Sequence, residues 1–124
     1  MTMKLGEVVN ILEQIAPTRL AESWDNVGLL VGDVEQCIAR VLLTIDCTAA
    51  VLREAQAEKC ELVVAYHPPI FHALKRLAAG DIAFDAIRSG VAIYSPHTAL
   101  DCAQGGTSDV LADIRLMLRR LGRA

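Results

Sequence analysis

Apolar residues at Leu5, Val8, Val9, Leu12 and Ile15 fall on one face of a helix, and Pro17 ends the pattern because proline disfavours helical backbone in the residue before it. A short irregular stretch carrying Trp24, Asp25 and Asn26 follows. The apolar run 27–31, bounded by Gly32 and Asp33, predicts a short strand, and 41–45, rich in branched residues, predicts a second. Val51, Leu52, Ala55 and Cys60 predict a helix face with Thr48 as N-cap. Two further strand runs lie at 62–66 and 91–94. Between them Asp81 is placed to cap a helix through Ile82, Phe84, Ala86 and Ile87, which Gly90 stops. The last helix begins near Thr107 and runs through Val110, Leu111, Ile114, Met117, Leu118 and Leu121. Its Arg115, Arg119, Arg120 and Arg123 sit late, where cations favour the negative end of a helix.

Strands alternating with helices of roughly ten to fifteen residues predict right-handed βαβ crossovers and an α/β domain with a mainly parallel sheet flanked by helices. The central runs are apolar on both faces, as expected where helices cover both sides. In such a sheet the loops at the carboxyl edge converge on a crevice, so function is to be sought there. Three strand runs end in polar residues: Asp46, then Tyr66 and His67, then Ser95, Pro96 and His97. Just beyond lie Asp101 and Cys102, and Gly105 and Gly106 lead into the final helix.

Composition narrows the picture. The 124 residues, 53% hydrophobic and 22% charged, read as one globular domain spanning 1–124, long enough to bury a core without staples. A net charge of -3, from 12 basic and 15 acidic residues, argues against a nucleic-acid partner, which needs a clustered basic face. No apolar stretch approaches the roughly 20 residues that cross a bilayer, and the first residues lack an apolar signal core, so a cytoplasmic protein without a membrane partner is expected. The cysteines at 37, 47, 60 and 102 show no paired spacing of a zinc site and read as free thiols.

The chemistry-bearing residues are few. Pro68 and Pro69 fix the backbone where it leaves the third of these strands, which holds the His67 imidazole in place. His97 and Asp101 lie four residues apart in an expected loop opened by Pro96. Imidazole with carboxylate suits a divalent zinc, manganese or iron ion. The alternative is that both histidines cap strand ends and bond to backbone, and the residues by themselves leave the two readings level. Trp24 reads as an indole anchoring its loop, with Asp25 and Asn26 forming the turn before the strand. Lys75 and Arg76 read as a solvated pair.

Three words then stand out: Ser-Trp-Asp-Asn-Val-Gly-Leu at 23–29, Tyr-His-Pro-Pro-Ile-Phe at 66–71 with Leu-Lys-Arg-Leu at 74–77, and Gly-Val-Ala-Ile-Tyr-Ser-Pro-His-Thr-Ala-Leu-Asp at 90–101. In this order and at these separations they resemble the NGG-one-interacting factor three-like family, whose members also go by type-two GTP cyclohydrolase homologue and dinuclear metal centre protein. The resemblance implies a two-lobed α/β protein that forms a toroidal hexamer with two divalent ions per subunit. It carries a metal-ligand role to His67 and Asp101, the latter as the bridging carboxylate. Many members have a second histidine where this chain has Tyr66, and the Tyr-His-Pro-Pro form resembles a eukaryotic-type variant. A phenol, with a pKa near 10, replaces a good nitrogen ligand only if a metal deprotonates it. His97 belongs to the family word without being a usual ligand, and we assign it proton transfer or orientation of a neighbouring ligand.

The family's remaining ligands, a histidine and a glutamate one helical turn apart, lie beyond a chain of this length. No histidine follows His97, and the last glutamate is Glu61. The expectation is therefore one lobe of a metal-dependent, cyclohydrolase-like enzyme acting on a nucleotide or other small molecule, incomplete in this chain and assembling with copies of itself. The competing reading is a non-catalytic interaction or transcription-regulatory module with a vestigial metal site.

Overall fold

The computed structural model describes residues 2–122, so the expectation for Arg123 lies outside the described residues. In chain order the elements are β1 (Met3–Lys4), α1 (Leu5–Ile15), a 3-10 turn (Thr18–Leu20), β2 (Gly28–Val31), β3 (Cys37–Ile38), β4 (Val41–Asp46), α2 (Ala49–Ala57), β5 (Leu62–His67), α3 (Ile82–Ser89), β6 (Ala92–Ser95), α4 (His97–Cys102) and α5 (Thr107–Arg120).

The main sheet has the order β2-β6-β5-β4. β4, β5 and β6 are parallel, with Leu43 opposite Val64 and Val64 opposite Tyr94. β2 runs antiparallel to β6, pairing Gly28 with Ser95 and Leu29 with Tyr94 before the register shifts. The sheet is thus α/β and mainly parallel, with one reversed edge strand. β1 and β3 pair in a separate two-residue ribbon that the hydrophobic pattern did not foreshadow.

Alternation along the parallel strands separates two cores. Val63 and Ala65 of β5 and Ile93 of β6 face Leu52 and Ala55 of α2 and Ala86 of α3. Leu62 of β5 and Ala92 and Tyr94 of β6 face the opposite way, against Leu5, Val8, Val9 and Leu12 of α1. A third, smaller cluster of Ala16, Ala99 and Ala103 seats α4 against the end of α1.

Local signals explain most boundaries. The Thr48 hydroxyl accepts from the Val51 amide at 3.3 Å and starts α2. Gly90 ends α3 in the left-handed region at φ 71°, a conformation that glycine adopts without a Cβ clash. Four expectations need correction. α2 stops at Ala57, short of Cys60, and Lys59 turns the chain at φ 57°. Asp81 occupies the N-cap position of α3, but its carboxylate makes no bond to the helix and accepts instead from the Ala78 amide at 3.0 Å. Residues 97–102 form a helix rather than a loop. The sheet is not covered on both faces throughout, because α1 does not extend over β4: Val41, Leu43 and Ile45 stay exposed, Leu43 to 76%.

Candidate functional site

Parallel β4, β5 and β6 deliver Asp46, Tyr66, His67 and His97 to the carboxyl edge of the sheet. Because β2 is antiparallel, it is the loop entering β2, not the one leaving it, that arrives at this same edge. That loop brings Trp24 and Asp25.

Three rings form a triangle there. The ring centres of Tyr66 and His67 lie 5.0 Å apart, Tyr66 and His97 5.4 Å, and His67 and His97 5.5 Å. Each ring is tied to its own carboxylate. His67 Nδ1 lies 2.8 Å from the Asp46 carboxylate. His97 Nδ1 lies 2.9 Å from one Asp25 oxygen and 3.0 Å from the other. The Tyr66 hydroxyl donates to Asp101 at 2.5 Å, and the Thr107 hydroxyl donates to the same Asp101 oxygen. Of the sequence-predicted site residues, His67, His97 and Tyr66 therefore share one cluster, and Tyr66 holds Asp101 beside it. Cys102 is exposed, and Lys75 and Arg76 stand in an exposed segment after the Pro-Pro pair.

Asp25 is the residue that sequence reasoning undervalued. Its side chain has no exposure, and besides His97 it accepts from the Thr98 amide at 3.1 Å and the Thr98 hydroxyl at 2.5 Å. Burial pushes its pKa up, but the hydrogen bonds from His97, Thr98 and the Asn26 amide outweigh burial and hold it below the ordinary value. His97 itself carries φ 27°, a region that side chains enter at a cost, and Asp25 grips both its ring and the next residue's amide. The signal was available: Asp25 opens the turn before an edge strand whose direction decides which loop reaches the site.

Trp24 also departs from expectation. It does not bury its indole to anchor the loop but leaves 60% of its surface exposed. The loop is pinned by polar bonds instead, with the Glu22 amide donating to Thr98 at 3.0 Å and the Asn26 side-chain amide donating to the Ile70 carbonyl at 2.6 Å.

The donor set bears on a metal. Asp46 on Nδ1 of His67 leaves the other ring nitrogen open, an arrangement common behind metal-bound imidazoles. Tyr66 stands differently. The bond to Asp101 above all, then burial and the Asp101 charge, raise its pKa and keep the phenol protonated. Among the described residues no group of three or more His, Cys, Asp or Glu side chains is arranged to hold an ion. The described residues thus place the His67 ring and the Asp101 carboxylate at the same edge of the sheet without closing a set of ligands around an ion.

Comparison with known proteins places these features in a family. A family model described as Duf34/NIF3 (NGG1p interacting factor 3) matches residues 3–121. A Clostridium perfringens protein named GTP cyclohydrolase 1 type 2 homolog is 40% identical over 116 residues, covering 90% of this chain and 44% of that protein. NIF3-like protein 1 of Drosophila melanogaster is 44% identical over 114 residues, covering 88% of this chain and 39% of that one. The crystal structure of a Staphylococcus aureus protein, 35% identical, superposes with a TM-score of 0.85 over 90% of this chain and 33% of its own. The chain therefore spans less than half the length of these relatives. With the match running through all three sequence words and the fold that carries them, the chain belongs to the Duf34/NIF3 family.

Proposed function

We propose that the chain is one lobe of a divalent-metal-dependent, cyclohydrolase-like hydrolase acting on a nucleotide or another small molecule in the cytoplasm. The observation that carries this reading is the Tyr66, His67, His97 triangle at the carboxyl edge, with a carboxylate behind each ring. His67 and Asp101 are the residues that would hold a zinc, iron or manganese ion, which would supply Lewis-acid stabilisation of developing negative charge. Asp46 orients His67. Tyr66 would join the ligands only by giving up the proton it shares with Asp101, so its role in this chain is to orient that carboxylate. His97, fixed by Asp25 through one ring nitrogen, takes or returns a proton at the other. The family name of the Clostridium relative supports the reaction class. A homo-oligomer, hexameric by resemblance, would bring further surfaces to this edge.

The experiment is metal analysis of the purified chain, with His67→Ala and Asp101→Ala variants. The expected result is at most one weakly held ion per chain, lost in both variants, and little hydrolysis by the chain alone. Two tightly held ions would overturn the incomplete-site reading. No uptake, together with variants of unchanged stability, would put the interaction or regulatory module with a vestigial site ahead, a reading favoured by the lack of a three-donor group among the described residues.

A further inference from the structure

Trp24 and Phe71 are large aromatic side chains on the rim of this cluster, and both stay in water, exposed to 60% and 42%. Their ring centres lie 6.1 Å apart with planes inclined at 60°, and the indole and His97 ring centres lie 6.3 Å apart with planes inclined at 76°. The backbone beneath them is held firmly. The Asn26 side chain ties the Trp24 loop to the carbonyl of Ile70, next to Phe71. Thr98 takes the Glu22 amide, and the Asp25 carboxylate takes the Thr98 amide and hydroxyl. Pro68 and Pro69 restrict the chain on the other side.

A loop meant to bury its tryptophan would turn the ring inward and let packing hold it. Here polar bonds hold the loop and the ring is presented outward, which costs apolar exposure but avoids an ordering cost when something lands on it. The inclination leaves no slot between the two rings. Both rings keep much of their surface in water, with the His97 ring centre 6.3 Å from that of the indole.

We propose that Trp24 and Phe71 form a stacking platform for the planar heteroaromatic ring of the substrate, setting its polar edge against His97. The assignment of that ring to a substrate rests on the hydrolase reading above, whereas the platform itself rests on the two exposed rings and their pinned loops. A ring seated on the indole meets His97 with atoms of the ring itself, so the platform selects ligands whose reactive carbon is in or directly attached to the heterocycle. Stacking tolerates many rings because each has a π-face.

The test uses the intact chain and the fact that Trp24 is its single tryptophan. Adenosine and guanosine are titrated while its emission is followed, with ribose as the ring-free control, and equilibrium dialysis measures the same nucleosides independently of fluorescence. Saturable quenching by the nucleosides and none by ribose is expected. Trp24→Ala should weaken nucleoside retention on dialysis by at least about tenfold, the scale of one lost base–aromatic contact, Trp24→Phe should keep most of it, and Phe71→Ala should weaken it less. Trp24→Ala should keep the wild-type thermal midpoint and metal content. No saturable nucleoside binding, equal response to ribose, or unchanged retention in Trp24→Ala overturns the platform. An emission change that follows protein concentration and not nucleoside also overturns it, because the indole is then a contact between copies. Nucleoside binding in a chain that takes up no metal would leave the platform standing while the metal reading falls. Metal uptake without nucleoside binding would do the reverse.

Discussion

Asp25 shows how one buried side chain carries both structure and chemistry. Its carboxylate satisfies four donors at once, the His97 ring, the Thr98 amide, the Thr98 hydroxyl and the Asn26 amide, and so fixes the first turn of α4. Removing it in Asp25→Ala leaves these groups unpaired in a dry setting and should cost about 1–3 kcal/mol of unfolding free energy, read from denaturant midpoints. The pH dependence has a definite sign. The folded pKa lies below the ordinary value of 3.8, so the native state prefers the ionised form. Its contribution is complete above the unfolded pKa and is lost as pH falls through the lower folded value. The stability gap between wild type and Asp25→Asn should therefore be widest near neutral pH and shrink in acid. A gap that stayed constant down to pH about 2 would assign the effect to shape and not to charge.

The elements that the sequence disclosed are those whose pattern is local. The α1 stripe ending before Pro17, the Thr48 cap and the Gly90 stop each need only neighbours within a turn or two, and each element is found near its expected bounds. The misses are non-local. The β1–β3 ribbon pairs Met3 with Ile38 and Lys4 with Cys37, far apart in the chain, and has too few residues to show a period. The direction of β2 depends on which strand it pairs with, and that direction is what brings Asp25 and Trp24 to the edge where His67 and His97 were expected. The four-residue spacing of His97 and Asp101 was visible, but Pro96 concealed the helix, since proline is tolerated just before a first turn as well as in loops. The link between α4 and α5 is similarly fixed by space. A Cβ on Gly106 would sit 1.8 Å from the Leu100 carbonyl oxygen and 2.9 Å from that of Ala103, so only glycine fits. Gly106→Ala must push apart the backbone that holds Leu100 and, through Thr107, Asp101; we expect a loss of at least about 1–3 kcal/mol in chemical denaturation. Gly6 in α1 is the contrast, because its Cβ would meet Val34 at an ordinary 3.5 Å. Gly6→Ala should be neutral or stabilising by up to about 1 kcal/mol. Equal losses in the two variants would show that glycine flexibility, and not the close carbonyls, sets the requirement at Gly106.

For the whole molecule the decisive feature is apolar surface without cover. β4 is an edge strand, paired only with β5, and Val41, Leu43 and Ile45 point out of the sheet on the side that α1 leaves bare. α5 keeps its helical pattern, yet none of its residues is buried, so Val110, Leu111 and Ile114 meet solvent. No helix among the described residues is long and apolar enough to cross a membrane, so lipid burial of a spanning segment does not account for this surface. An uncovered edge strand with apolar residues on one face is a template for pairing with another strand, and natural edges usually carry a charge to prevent it. The outward positions of β4 carry none. The chain on its own should therefore associate with itself through β4, its sedimentation coefficient rising with concentration. Leu43→Lys places a charge at the most exposed of the three positions, where the fold itself loses little packing. It should shift the distribution towards monomer with the thermal midpoint nearly unchanged. If Leu43→Lys associates as strongly as wild type, β4 is not the contact, and a charge placed on α5 by Leu111→Lys becomes the discriminating variant, because that side chain is the most exposed apolar one on the other bare element.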